Sequence, residues 1–313
     1  MIVVAGGTGL LGRDVVARLV GRGLAVRVLT RDAALGRLAL GPLADRVELV
    51  QADVRDPATL RAAVAGADTV IAAVQGFGGR EAGGITAVDR DGNRNLVRAA
   101  AAAGVTRFAL MSIHDASAAD PLALGRAKAL VEDELRATSM TPLVIRPTTY
   151  METWAGIVGG PILASGRARV FGRGRNPINF VAASDVAAVV EDVVVAVDHD
   201  PKLGRTVEVV GPDDLSFDDV VATFAAALGR PVPTSHVPLT MLRAMSIALR
   251  PFKPVLADQI AAAIVLDSVD RRAVGAASGG GDPAIRRGTT TFDSVVRAFV
   301  AGASVAAGSP ASV

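Results

Sequence analysis

The chain has 313 residues, half of them apolar, with 33 Lys and Arg against 31 Asp and Glu, a net charge of +2 and a pI of about 9.5. That supplies apolar material for one large or two modest cores. Without a basic run, the small positive balance gives no electrostatic footprint for nucleic acid, and a small-molecule ligand is expected. The lack of cysteine removes disulfides, thiolate metal sites and thiol nucleophiles, and makes a reducing, cytoplasmic compartment the default.

Residues 2–5 are apolar, have no charged segment before them and run straight into glycines, so they read as a strand and not as a leader. A helix is expected over 11–22, where Val15, Val16, Leu19 and Val20 share a face and Gly21 and Gly23 supply the stop. Further strands are expected at 25–30, 47–51, 69–74, 107–111 and 142–146, and further helices near 58–65, 85–103 and 123–138. Short β-rich runs alternating with Ala-rich amphipathic ones require parallel strands joined by helical crossovers, which predicts a doubly wound Rossmann α/β sheet. After Arg146-Pro147, Gly-rich turns are expected at 156–160 and 172–174, followed by a helix over 184–197 capped by Ser184. Asp185, Glu191 and Asp192 interrupt that helix, and no segment offers the ~20 apolar residues needed to span a bilayer, so no membrane partner is expected. Next come a strand at 206–210, a helix begun at Ser216, helical stretches at 238–250 and 254–266, a flexible loop at 279–281, and a last helix at 292–300. A Gly/Ser/Ala-rich tail occupies 302–313. The expected division is a dinucleotide domain over 1–200, with 151–175 contributing to a substrate cleft, and a smaller, mostly helical substrate lobe over 201–301.

A pyrophosphate requires backbone N–H groups aimed from a helix N-terminus, together with close backbone approach, which only a residue without a Cβ permits. The turn Gly6-Gly7-Thr8-Gly9-Leu10-Leu11-Gly12 spaces Gly6, Gly9 and Gly12 as GxxGxxG, between an apolar strand and an amphipathic helix. It therefore reads as the phosphate turn of a dinucleotide-binding βαβ unit, the bland alternative being a plain strand-to-helix turn. An acid at the end of the second strand would grip both hydroxyls of an NAD ribose and repel a 2′-phosphate. Here Thr30 takes that position and Arg31 offers a forked cation, with Arg13 on the other side, which favours NADP; the alternative is two solvated arginines. Asp53-Val54 would lie at the adenine edge or form an ordinary turn.

Together these residues resemble the atypical branch of the short-chain dehydrogenase/reductase superfamily, the NmrA-like and isoflavone-reductase-like NAD(P)-binding proteins, over about 1–235. The matching segments are the glycine turn, Asp53-Val54, Asp91-Gly92-Asn93, 107–112, Lys128, Ile145-Arg146-Pro147, 179–186, Gly211-Pro212 and Leu228-Gly229-Arg230-Pro231. The resemblance implies an NADP(H) site formed by Gly6, Thr8, Gly9, Leu10, Leu11, Gly12, Arg13, Arg31, Asp53, Val54, Ala73 and Lys128. It also implies an NADPH-dependent oxidoreductase that reduces an apolar carbonyl, quinone or enone by hydride transfer. The alternative it implies is a non-catalytic NADP(H)-sensing regulator or assembly subunit.

Typical members of the superfamily use a Tyr-x-x-x-Lys pair, in which the lysine binds the nicotinamide ribose and lowers the pKa of the tyrosine. The matching segment is Leu124-Gly125-Arg126-Ala127-Lys128: the lysine is kept and the phenol is replaced by an aliphatic group. The usual serine position falls at Ile113, with Ser112 beside it as a candidate or a turn former. His114 and Asp115 could act as an acid/base pair at the mouth of the site, yet adjacent residues on a strand point to opposite faces, so the favoured reading of His114 is a loop histidine without a partner. The single tyrosine, Tyr150, follows the segment that lines the substrate pocket in the resembling proteins, as the missing acid or as an aromatic wall. Lys128, Tyr150 and Ser112 are therefore the catalytic candidates, and no metal is expected. Quinones, azo dyes and activated alkenes can take a proton from solvent, so hydride transfer does not require a protein acid. The helices at 85–103 and 123–138 are candidates for pairing in a homodimer.

Overall fold

The computed structural model describes residues 1–77, 84–196, 205–269, 272 and 284–308. In chain order its elements begin with β1 (Ile2–Ala5), α1 (Leu10–Gly21), β2 (Val26–Thr30), α2 (Ala33–Leu40), β3 (Glu48–Gln51), α3 (Pro57–Ala63) and β4 (Thr69–Ala72). A π-helical stretch (Ile85–Gly92) runs into α4 (Asn93–Ala102), followed by β5 (Arg107–Met111), α5 (Ala123–Arg136), β6 (Thr141–Pro147), β7 (Thr149–Tyr150), α6 (Met151–Ser165), β8 (Ala168–Phe171), β9 (Ile178–Val181) and α7 (Ala183–Ala196). The remainder is β10 (Arg205–Val210), β11 (Asp214–Leu215), α8 (Phe217–Leu228), β12 (Thr234–Val237), α9 (Leu239–Leu249), α10 (Pro254–Ser268), β13 (Ala284–Arg287) and α11 (Phe292–Gly308).

Two compact units interleave along this chain, where the sequence pointed to one break near 200. The first comprises Met1–Pro147, Ala183–Val209 and Gly279–Arg286, and the second Thr148–Ala182, Val210–Ser278 and Arg287–Val313. The interleaving has a topological cause. β10 pairs in parallel with β6, and parallel neighbours need a long crossover; here the crossover detours through the second unit and then returns as α7, which packs on α1.

The first unit is a doubly wound sheet in the order β13-β10-β6-β5-β4-β1-β2-β3, with the pairs from β10 to β3 all parallel. Helices cover such a sheet on both faces, so its central strands carry nearly continuous apolar runs. Accordingly Thr69, Val70, Ile71 and Ala72 are all buried. Phe108, Leu110 and Val144 pack under Leu96, Val97, Val131 and Leu135 from α4 and α5, and each fully buried large apolar side chain contributes about 1.5–3 kcal/mol. The expected strands and crossover helices of this unit match the observed ones to within about two residues, the usual uncertainty of helix ends. Not foreseen were α2 and the 3-10 turn after it (Gly41–Arg46); α2, eight residues long, starts where the Asp32 carboxylate accepts the Ala34 and Leu35 N–H groups at 2.8 and 2.9 Å, an N-cap.

The second unit holds two small sheets, β11-β9-β7 and β12-β8, around a core in which Trp154 meets Phe217 and Phe180 meets Phe292 at ring-centroid distances of 4.9 and 5.2 Å. As expected, Ser216 caps α8, in a capping box with Asp219. The turn expected at 156–160 is instead the middle of α6. Trp154, Ala155, Val158 and Ile162 give that helix a buried face, and tertiary burial outweighs the ~1 kcal/mol that each glycine costs a helix. Gly159 also makes room for Phe224, whose ring would overlap a Cβ. α7 begins one residue before the expected cap at Ser184. The expected tail from 302 is helical as far as Gly308, in keeping with its alanines. The glycines at 279–281 lie outside the described residues.

Candidate cofactor and catalytic site

At the carboxyl end of β1, Gly6 turns the chain with φ +82°, and a Cβ there would lie 2.5 Å from the carbonyl oxygen of Ala73 at the end of β4. Gly9 N–H closes the turn on Gly6 O at 3.0 Å. Gly12 lets the first turn of α1 sit directly on this loop: its Cβ would overlap the Gly6 carbonyl and lie 2.7 Å from Gly7 Cα. No side chain caps α1, and its first turn holds no acid. The backbone N–H groups there and the positive end of the helix dipole are thus presented to an anion. Gly9 and Leu10 are exposed at this point and Ala73 borders the turn.

At the end of β2, Thr30 Oγ1 donates to Asp32 O at 2.9 Å. The nearest acid, Asp32, is committed to capping α2, whereas Arg31 and Arg13 are exposed. At the end of β3, Asp53 is engaged by Arg55 Nη2 at 2.5 Å. That hydrogen bond, reinforced by the charges of Arg55 and Arg31, holds the Asp53 carboxyl below the usual carboxylate range. Val54 packs against Gly92, and its carbonyl accepts from Asn95 at 3.0 Å. The glycine turn, Arg31, Asp53 and Ala73 thus follow the carboxyl ends of β1, β2, β3 and β4, where open α/β sheets bind ligands, and the residue directly after β2 is a cation.

The catalytic candidates sit differently from one another. Lys128 is buried in α5, with Nζ 3.1 Å from Oδ1 of the fully buried Asp89. The other Asp89 oxygen accepts Gly76 N–H at 2.9 Å, just past β4. Asp89 lies in the π-helical stretch, a feature frequent at functional sites, and Asn93 Nδ2 donates to the carbonyls of Val88 and Asp89 at 3.1 and 3.0 Å. Asp89 went unnoticed in the sequence. Its signal is an acid among Ile85, Val88, Gly92, Asn93 and Leu96 on the buried face of one helix.

Ser112 Oγ donates to Glu132, a second fully buried acid, one turn from Lys128 on α5. Glu132 also accepts from Arg146 Nη2 at 2.6 Å and Arg136 Nη2 at 2.8 Å. Arg146 Nη1 reaches Glu208 on β10 at 3.5 Å. Glu208 in turn faces His114 Nδ1 at 2.8 Å, and Asp115 approaches His114 Nε2 at 3.3 Å. The expectation of an unpartnered loop histidine is therefore corrected: the partner is 94 residues away in sequence, beyond local reasoning. Asp115 reaches its place through a left-handed backbone, φ +59°, a conformation costly for a residue with a Cβ.

Leu124 is half-buried on α5. Tyr150, in the second unit, is half-buried as well. Loss of water contact, with a further contribution from the charge of Glu152, pushes its phenol upward. Among the described residues, no group of three His, Asp or Glu is placed to hold a metal ion.

The NmrA-like family description matches residues 1–266. The chain is 28% identical over 247 residues to the NAD(P)H azoreductase of Xenophilus azovorans, covering 78% of this chain and 79% of that protein. It is 29% identical over 253 residues to the photosystem II assembly factor Ycf39 of Synechocystis sp., covering 80% and 75%. Its fold is that of the Citrobacter sp. triphenylmethane reductase solved with NADP(H), with TM-score 0.71 and 19% identity over 95% and 99% of the two chains. The Escherichia coli NADPH-dependent quinone oxidoreductase, solved with NADPH, aligns with TM-score 0.66 and 22% identity over 86% and 91%. The resemblance drawn from the glycine turn and Lys128 is borne out, and the chain belongs to the NmrA-like family.

Proposed function

We propose that the protein is an NADPH-dependent reductase of small apolar acceptors: quinones, carbonyls, enones or azo compounds. The observation that carries this reading is the retention of Lys128, buried and ion-paired with Asp89, in the sheet unit that also holds the uncapped glycine turn. NADPH supplies a hydride when bound. The N–H groups of the glycine turn hold the pyrophosphate, Arg31 with Arg13 holds the 2′-phosphate, and Lys128 donates to the nicotinamide ribose. Its ammonium has three N–H donors, and the carboxylate of Asp89, 3.1 Å away, aims it. Ser112, bonded to Glu132, braces the end of β5. Leu124 supplies no proton, so the substrates that fit are those protonated by water once the hydride has arrived.

The test is spectrophotometric: purified protein is mixed with NADPH and a panel of quinones, azo dyes, ketones and enones, and loss of the reduced cofactor is followed. Consumption is expected with acceptors that take a solvent proton; no turnover with any class overturns the reading. A second reading, an NADP(H)-binding regulator or assembly subunit, is favoured by Leu124 and by the likeness to an assembly factor, and the same null result would support it.

Two variants probe the roles assigned. Arg31→Ala should weaken NADPH binding about 10- to 100-fold, the effect of one charge-assisted contact of about 1.5–3 kcal/mol, and leave NADH binding nearly unchanged. Equal affinities for the two cofactors in the parent protein would refute the preference for NADP. Tyr150→Phe should leave turnover within about threefold, since a positioned general acid contributes roughly 100-fold or more and nothing lowers the pKa of this phenol. A 100-fold loss would instead identify Tyr150 as the acid.

A further inference from the structure

Ten large apolar side chains are exposed among the described residues, and four of them, Met241, Ile247, Phe252 and Leu256, fall within the α9–α10 hairpin of the second unit. Phe252 is 83% exposed and Ile247 76%. Single exposed apolar residues need no explanation, but four within one helical hairpin do. The turn between its helices is tied by backbone hydrogen bonds. Phe252 N–H and Lys253 N–H both donate to Leu249 O, at 3.0 and 2.7 Å, Ala257 N–H donates to Lys253 O at 3.0 Å, and prolines flank the turn at 251 and 254. Behind the turn, Ser246 Oγ donates to Ala257 O at 3.1 Å and Leu242 is fully buried. The inward face of α9 is therefore satisfied, and Ile247 and Phe252 point outward because of the fold, not because of a slack loop.

The stretch that carries these side chains is poor in acids. From Val220 to Ala257 the chain holds 38 residues with no Asp or Glu, in a protein with 31 acids overall. Arg243, Arg250 and Lys253 are exposed among the apolar side chains. Arg250 leans on Asp258 of α10 at 3.5 Å, which leaves Arg243 and Lys253 facing outward. An aromatic tip between cations on a helical hairpin is the chemistry that recognises an anionic lipid surface: the apolar groups enter at headgroup depth and the cations meet phosphates. A second copy of the chain fits worse. A two-fold contact through this face would set the same cations against one another.

We propose that the α9–α10 hairpin docks the protein on anionic bilayer surfaces. The contact is peripheral: among the described residues, no helix is long and apolar enough to cross a membrane. It adds a surface contact to the small-molecule partner expected from the sequence.

The test is co-sedimentation of the full chain with vesicles of phosphatidylcholine containing about one-third phosphatidylglycerol, and with vesicles of phosphatidylcholine alone. Binding to the anionic vesicles only is expected, with release at about 0.5 M salt. The double variant I247E/F252E should bind roughly tenfold more weakly or worse, and R243Q/K253Q should lose the preference for anionic lipid. Both alter exposed side chains, so unchanged thermal unfolding and unchanged NADPH binding separate loss of docking from loss of fold. The proposal is overturned by no sedimentation with anionic vesicles, by equal sedimentation with both, or by undiminished binding of I247E/F252E. Concentration-dependent self-association in solution that I247E/F252E abolishes, without vesicle binding, would assign the face to a second copy instead.

Discussion

Gly12→Ala is expected to remove NADPH binding, with a loss of at least about 100-fold in affinity. The added Cβ meets backbone on both sides, the Gly6 carbonyl and the Gly7 Cα, so no side-chain rotation relieves the overlap, and α1 must pull away from the loop. That misaims the N–H groups of the first turn. Two charge-assisted hydrogen bonds of about 1.5–3 kcal/mol each correspond to roughly 100- to 10,000-fold. Overpacking of this kind also destabilises by about 1–3 kcal/mol, a fall in melting temperature of roughly 2–12 °C for a domain of this size. Fluorescence titration with NADPH and a thermal melt measure the two effects. Two other glycines calibrate the result. Gly9→Ala brings its Cβ to 3.3 Å from Gly6 O and should be milder. Gly21→Ala, in the same helix with open space around it, should keep full affinity and gain about 0.5–1 kcal/mol. Parent-like affinity in Gly12→Ala would mean that the pyrophosphate is held elsewhere.

The other large effect centres on Lys128 and Asp89. Both are buried, and removing one partner strands the other charge without water, at a cost of about 3–5 kcal/mol. Lys128→Ala should therefore melt well below the parent and also lose NADPH turnover. Because a destabilised protein is often a less active one, the double substitution Asp89→Leu with Lys128→Met is the informative comparison. Replacing a buried ion pair by apolar groups of similar volume is often neutral or stabilising, so the double variant should recover part of the stability, less the ~1–3 kcal/mol of leaving the Gly76 N–H without its acceptor. If Lys128 holds the nicotinamide ribose, turnover stays lost. Recovered turnover would show that the pair only supports the fold, and Lys128 would leave the catalytic set.

The two predictions rest on features of different legibility. The glycine turn was readable because its cause is local: strand, backbone approach and helix start lie within twelve residues, and Gly6, Gly9 and Gly12 are the residues such a turn requires. The crossover helices were readable for the same kind of reason, since Val15, Val16, Leu19 and Val20 record a buried face at helical period. α6 was missed because Gly156, Gly159 and Gly160 speak locally for a turn, while the burial of Trp154 and Phe224 that overrules them comes from elsewhere in the chain.

By itself, then, the sequence determined the doubly wound sheet, the glycine turn between β1 and α1, and the Thr30-Arg31 end of β2, all short-range consequences of backbone sterics and hydrophobic period. Tertiary structure alone decided what each charged group near the site faces: Lys128 on Asp89, Ser112 on Glu132, His114 on Glu208. Those partners lie 39, 20 and 94 residues apart. A buried charge must find its counter-charge wherever packing brings one, and no local pattern records which acid that will be.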